Sequence, residues 1–308
     1  MFVHTLFNKS AKLKGMRVLH FFKAKSRFGI SNPHKLQEDV DIGVENGPDA
    51  VLTRDFLTKF SQCYINEYVF PEPEKVHPKQ FNKILGERLN DFRRFINSHI
   101  KCGQTQVVIG GDHSVTLPSI LAVKDRVGSL KNLGYIQFDS HGDMNLKASS
   151  PTGNFHGMYM RPLVARFDIR DVERSVSEKL PVGNIMYVGN LDLDKGEAEL
   201  FAKKKIKNID RGALLGGKRN VIKNFKNFIS SFEYLHVSFD IDVLDKTEAS
   251  ATGIPSEHGL KLGDIGELLN VIGRHPNLSF DLTEVNPLKS GRNKTIQSAH
   301  KILIASLS

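Results

Sequence analysis

Six potential metal ligands occur in three short clusters, each directly after an apolar run that predicts a strand. In an extended chain, residues two apart point to the same face, so Asp139, His141 and Asp143 can converge on one point, and Asp240 with Asp242 can do likewise. Four carboxylates and two imidazoles are too many for one ion and suit two divalent ions with bridging carboxylates. The three clusters are residues 110–114 (GGDHS), 139–143 (DSHGD) and 238–242 (SFDID).

Each cluster also has an ordinary structural interpretation when it is taken alone. The GGDHS segment is compatible with a tight turn before a helix, in which Asp112 or Ser114 satisfies free backbone amides. The DSHGD and SFDID segments resist this interpretation, because a buried carboxylate is costly unless a cation or strong donors compensate. Close carboxylates also repel each other, and without a metal one of them is expected to take up a proton. The three clusters together therefore predict a dinuclear site.

The types of ligand predict the metal and the reaction class. Oxygen-rich ligation with two histidines and no thiolate favours Mn²⁺, with Zn²⁺, Co²⁺, Ni²⁺ and Fe²⁺ as alternative occupants in vitro. Two such cations lower the pKa of a shared water and stabilise a developing tetrahedral intermediate, which predicts metal-assisted hydrolysis. Cys63 and Cys102 lie far apart and outside any C-x-x-C pattern, so neither a disulfide framework nor a thiolate zinc site is supported.

The formal charge of +9 is concentrated at one end of the 308-residue chain. Residues 1–37 hold eight basic residues and no acidic one, and the remainder is close to neutral. We interpret residues 1–15 as a basic N-terminal extension and residues 16–308 as a single catalytic domain. A mitochondrial transit peptide, or an extension that binds nucleic acid or an acidic membrane, is an alternative for that segment. No apolar stretch has the length of a membrane span, and we expect a soluble, cytoplasmic protein without a nucleic-acid or membrane partner.

Alternating strand and helix patterns predict the fold. Helical periodicity is clearest over residues 78–100, and it recurs over residues 263–272 and from about Thr295 to the end of the chain. This alternation predicts a three-layer α/β/α fold with a mostly parallel central sheet, in which ligands bind at the carboxyl ends of the strands. The three clusters occupy such positions. Buried strands are predicted at residues 104–109, 134–138, 184–188, 234–239 and 278–282, after a first strand at about 16–22.

The chain resembles the ureohydrolase superfamily, the arginase and agmatinase group, over nearly its whole length. The resemblance runs from residues 43–48 (GVENGP) through the three clusters to residues 281–287 (DLTEVNP), in family order and spacing. It implies an α/β/α fold, two Mn²⁺ ions per subunit, a small guanidino substrate and assembly as a trimer or hexamer. By this resemblance, one ion would be held by His113, Asp139, Asp143 and Asp240, and the other by Asp139, His141, Asp240 and Asp242, with Asp139 and Asp240 bridging.

The resemblance also implies roles for residues that the spacing alone leaves undecided. Residues 153–157 (GNFHG) resemble the family's histidine loop, in which His156 would pass protons to the leaving amine, although a lone histidine beside glycine is commonly a turn residue. Glu284 matches the position that pairs with the substrate guanidinium, and a planar cation with paired donors suits a carboxylate. We assign His156 and Glu284, with the metal ligand Asp143, as catalytic residues.

The closest resemblance is to arginase, which predicts hydrolysis of L-arginine to L-ornithine and urea. Asn145, Thr152 and Asn154 stand where arginases bind the α-carboxylate, and Asp194 and Glu197 where they meet the α-amino group. As ordinary alternatives, Asn145 and Thr152 are common loop residues, and Glu197 suits a helix cap. One departure is Ile254, which replaces a threonine that lines the guanidinium pocket. Agmatinase, guanidinobutyrase, formimidoylglutamase and a metal-binding scaffold without turnover therefore stay as alternatives.

Overall fold

A nine-stranded sheet runs through the part of the chain that this computed structural model describes, namely residues 17–30 and 41–308 with the backbone of residues 6–7. The strands are β1 (Leu6–Phe7), β2 (Val18–Lys25), β3 (Gln62–Val69), β4 (Gln104–Gly110), β5 (Leu133–Phe138), β6 (Ile185–Val188), β7 (Lys207–Ile209), β8 (Tyr234–Asp240) and β9 (Leu278–Thr283). Their spatial order is β1-β3-β2-β4-β9-β8-β5-β6-β7. Eight strands are parallel, and β1 pairs antiparallel with β3 at the edge.

Helices cover both faces of the sheet and bury a separate hydrophobic core on each side. One layer contains α3, which packs on α4 and α6, and the other contains α9, which packs on α8 and α10. The predicted three-layer α/β/α architecture is thus confirmed. The α-helices are α1 (Gly47–Val51), α2 (Arg54–Leu57), α3 (Phe81–His99), α4 (Thr116–Val127), α5 (Arg161–Val164), α6 (Arg170–Glu173), α7 (Lys195–Lys204), α8 (Arg211–Ser230), α9 (Leu262–Gly273) and α10 (Arg292–Leu307).

The predicted elements match the structure closely in the interior and less well at the edges. All five apolar runs form strands, and the helix predicted over residues 78–100 consists of a short 3₁₀ helix, Pro78–Gln80, followed by α3. The sequence patterns missed β3 and β7, because β3 is only partly buried and polar residues interrupt its apolar ones, and β7 has three residues. The last helix begins at Arg292, three residues before the predicted start.

The amino-terminal region shows how part of the basic charge is balanced. The first strand extends to Lys25 rather than ending at residue 22, and Lys23 and Lys25 each lie 2.7 Å from a carboxylate oxygen of Asp49. The predicted extension, residues 1–15, lies outside the described residues apart from the backbone of β1. Within the described ranges, no helix has both the length and the apolar character needed to cross a bilayer.

The central strands bring the three predicted clusters to one edge of the sheet. Strands β4, β9, β8 and β5 are neighbours in that order, although they are far apart in sequence. The register pairs Phe138 with Phe239 and Asp240 with Thr283, so the residues after each strand fall in one row. Asp139 after β5 is therefore level with Asp240 and Thr283, and Glu284 follows one residue later, and parallel strands place all of these carboxyl ends on the same side.

Candidate metal centre and active-site cavity

The ligand clusters converge through tight turns after the strands. Strand β5 ends at Phe138, and Asp143 adopts a left-handed conformation with φ of 51°. Asp240 caps the 3₁₀ helix Ile241–Val243, and its Oδ1 accepts a hydrogen bond from the Asp242 amide at 2.9 Å. The prediction that alternation along an extended chain would align these side chains was therefore wrong in its geometry, although the clusters do lie together.

The GGDHS segment forms a tight turn and also supplies a potential metal ligand, so both interpretations of its sequence apply. Asp112 caps the 3₁₀ helix His113–Val115, with its Oδ1 accepting from the Ser114 amide at 2.9 Å. Its Oδ2 accepts from the Ser26 hydroxyl at 2.6 Å, which ties this turn to β2. Asp112 therefore builds the turn, and the turn directs the side chain of His113 toward the carboxylates.

His113 forms the centre of a first group of potential ligands. Its Nδ1 lies 3.2 Å from Asp139 Oδ2, 2.9 Å from Asp143 Oδ2 and 3.1 Å from Asp240 Oδ2. Among the described residues, no acceptor lies in a direction that would make a hydrogen bond with this buried nitrogen. The other ring nitrogen, Nε2, lies 2.7 Å from the Ser238 hydroxyl. A proton on Nε2 would leave Nδ1 as a free electron-pair donor.

A second group of potential ligands shares Asp139 with the first. The ligand atoms of Asp139, His141 and Asp242 all lie within 4.8 Å of one another. His141 Nδ1 is 3.0 Å from Asp242 Oδ2 and 3.5 Å from Asp139 Oδ1. Because Asp139 contributes one oxygen to each group, it is placed between them as a bridging ligand would be.

The pKa values of the buried carboxylates are shifted in different directions. Burial raises the pKa of Asp240 well above its ordinary value, and the charges of Asp242 and Asp139 raise it further. Burial and the charge of Asp139 likewise raise the pKa of Asp143 to about 6. Burial also opposes ionisation of Asp139, but the imidazoles of His113 and His141 beside it outweigh that effect and hold its pKa below the usual range. So many acidic groups in a buried cluster require compensating positive charge.

The donor set fits a pair of divalent cations. The unpartnered Nδ1 of His113 and three carboxylate oxygens point to one position, and the second group offers another imidazole with two carboxylates. Four carboxylates, two imidazoles and no thiolate match the preferences of a hard or intermediate divalent metal. The residues therefore satisfy the requirements for two neighbouring cations, and cations there would neutralise the acidic cluster.

A cavity of about 260 Å³ opens above this cluster, and Glu284 and His156 line it. Glu284 has a left-handed backbone with φ of 64°, and its Oε1 accepts from the His113 amide at 2.7 Å and lies 3.1 Å from His156 Nδ1. Burial raises the pKa of Glu284 to about 7 against the attraction of His156. Burial alone would lower the pKa of His156, but its hydrogen bond to Glu284 and the charge of that residue outweigh this effect and raise the pKa to about 10. The two side chains therefore form a partly buried carboxylate–imidazole pair.

The other end of the cavity contains most of the predicted substrate contacts. Asn145, Thr152, Asp194 and Glu197 line the cavity, whereas Asn154 is buried and is not among its lining residues. Asn145 donates from Nδ2 to Asp194 Oδ2 at 2.8 Å.

Glu197 has the structural role that was considered as its ordinary alternative. It accepts from the Met144 amide at 2.8 Å and from the Asp194 amide at 3.1 Å, and with Asp194 it forms the capping box of α7. Both of its oxygens are therefore used in positioning neighbouring backbone.

Sequence reasoning missed four polar residues that line the same cavity. Ser150, Asp192 and Thr252 lie in loops whose sequences carry no catalytic pattern. Asp41 is separated from the GVENGP motif by Ile42 alone, and nothing in its spacing marks it as part of the site. Only the folded loops bring these side chains to the cavity, which is also lined by Ile254.

Comparison with known proteins agrees with this geometry. The family model described as the arginase family matches residues 30–308. The chain belongs to the arginase family. An arginase of Staphylococcus aureus (strain MSSA476) is 30% identical over 276 residues, which cover 84% of this chain and 89% of the relative. Membership of the arginase family makes this chain a hydrolase of the ureohydrolase type.

Solved structures extend the similarity to the fold. The structure of Entamoeba histolytica arginase in complex with L-ornithine matches with a TM-score of 0.80 at 24% identity, and the match covers 96% of this chain and 99% of the other. Formimidoylglutamase from Bacillus subtilis matches with a TM-score of 0.66 at 17% identity, over 96% of this chain and 88% of the other. Since members with different names share the fold, the fold alone does not select a substrate.

Proposed function

We propose that this protein is a Mn²⁺-dependent arginase that converts L-arginine and water to L-ornithine and urea. The observation that carries the proposal is the acidic cavity beside the paired ligand groups. Eight carboxylate side chains line it, and none of the described lining residues is lysine or arginine. Such a cavity favours a cationic substrate whose charged end is directed toward Glu284. The arginase relatives support the choice of arginine within this class.

The six proposed ligands would hold two Mn²⁺ ions. His113 and Asp143 belong to the first group, His141 and Asp242 to the second, and Asp139 is common to both. Asp240, whose Oδ2 lies 3.1 Å from His113 Nδ1, would be the second bridging residue. When bound, such ions supply a water of lowered pKa and stabilise the negative charge that develops during attack.

The remaining catalytic roles fall to residues at the base of the cavity. Glu284 would hold the guanidinium of arginine and orient its central carbon toward the ligand groups. His156, protonated through its contact with Glu284, would donate a proton to the leaving amine. At the other end, Asn145 and Thr152 would bind the α-carboxylate, with Asn154 contributing through its amide, which donates to the Thr152 hydroxyl at 3.2 Å, and Asp194 with Glu197 would bind the α-amino group. Glu197 is assigned to this end because it accepts a hydrogen bond from the Asp194 amide at 3.1 Å.

Product analysis with several substrates tests the substrate assignment. The Mn²⁺-loaded protein should release urea from L-arginine at a higher kcat/KM than from agmatine or guanidinobutyrate. Formimidoylglutamate must be assayed for formamide, because its hydrolysis releases no urea. Turnover of agmatine without turnover of arginine would show that the enzyme is an agmatinase.

Two isosteric variants test the assigned roles against a scaffold without turnover. Glu284→Gln removes the charge that binds the guanidinium and should lower kcat/KM by at least about tenfold. His156→Asn removes the general acid and should lower kcat by about 10²-fold or more with a smaller effect on KM. Both variants should keep their bound metal. A metal-loaded wild-type protein that hydrolyses none of these compounds would instead support the scaffold interpretation.

We also propose that residues 16–308 form the catalytic unit, and that the protein is a cytoplasmic homo-oligomer, a trimer or a hexamer. Light scattering of the full chain should give three or six times the subunit mass of 34.5 kDa. Deletion of residues 1–15 should leave arginine hydrolysis intact. Loss of activity with unchanged assembly would place part of the catalytic unit in that segment.

A further inference from the structure

Asp41 is a buried acidic residue on the wall of the cavity that has no role in the proposed reaction. Its side chain is 8% exposed, and it lines the cavity together with Glu284 and His156. Its Oδ1 lies against the backbone of Gly253, where a Cβ atom would be 2.5 Å from this oxygen. The carboxylate thus lies against the loop that contains Gly253, on the wall of the cavity that Glu284 and His156 also line.

Among the described residues, the Oδ1 atom of Asp41 has no hydrogen-bond partner. The ammonium nitrogen of Lys289, Nζ, stands 3.8 Å from this oxygen. That ammonium donates to the carbonyls of Thr252 and Gly253, at 2.8 and 3.0 Å. The Thr252 hydroxyl is also buried and unpartnered in the described structure. A buried carboxylate oxygen and a buried hydroxyl on the same wall are therefore both left without a hydrogen bond in the described structure, which is costly unless a ligand or a small movement of the loop supplies a partner.

The proposed guanidinium has more donors than Glu284 alone can satisfy. Glu284 Oε1 already accepts from the His113 amide and contacts His156, at 2.7 and 3.1 Å. A guanidinium group carries up to five N–H donors in a plane, and a desolvated cation needs an acceptor for most of them. Ile254, on the same loop as Thr252, has no hydrogen-bonding side chain to contribute. In the described part of that wall, Asp41 and Thr252 each offer an unpaired group.

We propose that Asp41 is a specificity-determining residue that accepts hydrogen bonds from the substrate guanidinium, with Thr252 beside it and Glu284 on the opposite donors. The proposal rests on the proposed function, because it assumes a guanidino substrate in this cavity. It assigns the recognition of the cation to two carboxylates instead of one. Asp41 thus selects for the positive charge of the reacting group as well as for its shape.

The test compares guanidinium with urea, which has nearly the same shape but no charge. Inhibition constants for both are measured with the Mn²⁺-loaded full chain, for wild type and Asp41→Asn. Asp41→Asn should raise the inhibition constant for guanidinium by about tenfold or more, because a charge-assisted hydrogen bond is lost. The KM for arginine should rise by a similar factor. The constant for urea should change less than about threefold.

Asp55→Asn, on the exposed first turn of α2, is the matched control and should behave as wild type. Gly253→Ala is an independent variant that displaces the Asp41 carboxylate without altering its charge, and it should also weaken guanidinium inhibition selectively. Equal weakening of guanidinium and urea, or no change in either, would overturn the role of Asp41.

Direct calorimetric titration with guanidinium separates this proposal from the proposed function. If the wild type hydrolyses no guanidino compound but binds guanidinium in a manner that depends on Asp41, the proposed function fails and the role of Asp41 stands. If the wild type hydrolyses arginine and Asp41→Asn binds guanidinium normally, the role of Asp41 fails alone.

Discussion

Gly111, through its lack of a side chain, controls the position of the proposed metal ligand His113 and the proposed catalytic residue Glu284. A Cβ atom at this residue would lie 1.9 Å from the carbonyl oxygen of Ser26. The Gly111 amide donates to the Ala24 carbonyl at 2.9 Å, and its own carbonyl accepts from the Glu284 amide at 2.8 Å. The close approach of β2 to this turn therefore fixes both His113, two residues further on, and Glu284.

Gly111→Ala should abolish most of the activity while leaving the fold in place. The added methyl group must push the turn away from β2, which displaces His113 and Glu284 together, and small displacements of reacting groups reduce rates by about 10²-fold. The measurements are kcat/KM for arginine and bound metal per subunit, both of which should fall. Gly263→Ala is the control, because a Cβ atom there meets nothing within 4 Å. A fully active Gly111→Ala enzyme would contradict this account of the turn.

At the level of elements, the first turn of α7 connects helix capping with the substrate end of the cavity. Glu197→Ala removes acceptors for the amides of Met144 and Asp194, and the loss of a cap typically costs about 0.5–2 kcal/mol. We expect a lower melting temperature and a higher KM for arginine, with a smaller change in kcat. Glu199→Ala, on an exposed position of the same helix, should change neither. An unchanged KM in a destabilised Glu197→Ala protein would limit Glu197 to its capping role.

Helix α10 carries a histidine whose protonation should destabilise the fold. His300 stacks on Phe56 with ring centroids 3.9 Å apart, and its Nε2 lies 2.8 Å from the Val51 carbonyl. Burial lowers the pKa of His300 in spite of that contact. The unfolded chain therefore binds a proton at higher pH than the folded protein does, so stability is retained above about pH 6.5 and falls as the pH drops below it.

His300→Gln should flatten the pH dependence of the free energy of unfolding between pH 7 and pH 5. The expected difference is below about 1 kcal/mol, because the ring is only partly buried and solvent screens its charge. Chemical denaturation at several pH values measures it, and His258→Gln, an exposed histidine, should keep the wild-type profile. A steeper loss of stability in His300→Gln than in wild type would refute the assignment.

Sequence patterns predicted the elements around the site better than the geometry within it. Central strands such as β5 and β9 are buried at every position, and their apolar residues identify them as strands although Gln137, Ser279 and Asp281 interrupt the runs. The turns after them depend on close backbone contacts, such as that between Gly111 and Ser26, which periodicity does not reveal. Asp41 belongs to the same category, because its place in the cavity depends on how a distant loop folds against Gly253.

At the scale of the whole molecule, the sheet gathers acidic groups that cations must stabilise. The parallel strands bring Asp139, Asp143, Asp240 and Asp242 together at one buried edge. The hydrophobic cores on the two faces supply the stability that tolerates this repulsion. Stability and metal binding should therefore be linked thermodynamically across the whole fold.

Removal of the metal should lower the melting temperature, by about 5–10 °C for a chain of this size with metal well above its dissociation constant. Asp240→Asn should abolish most of this metal dependence, because it removes a proposed bridging ligand. In the metal-free state, however, the same variant should melt above wild type, since the pKa of Asp240 is raised by burial and by the charges of Asp242 and Asp139. Thermal unfolding with EDTA and with added Mn²⁺ measures both effects. A metal-free Asp240→Asn protein that melts below metal-free wild type would show that repulsion among these carboxylates is not what the cations relieve.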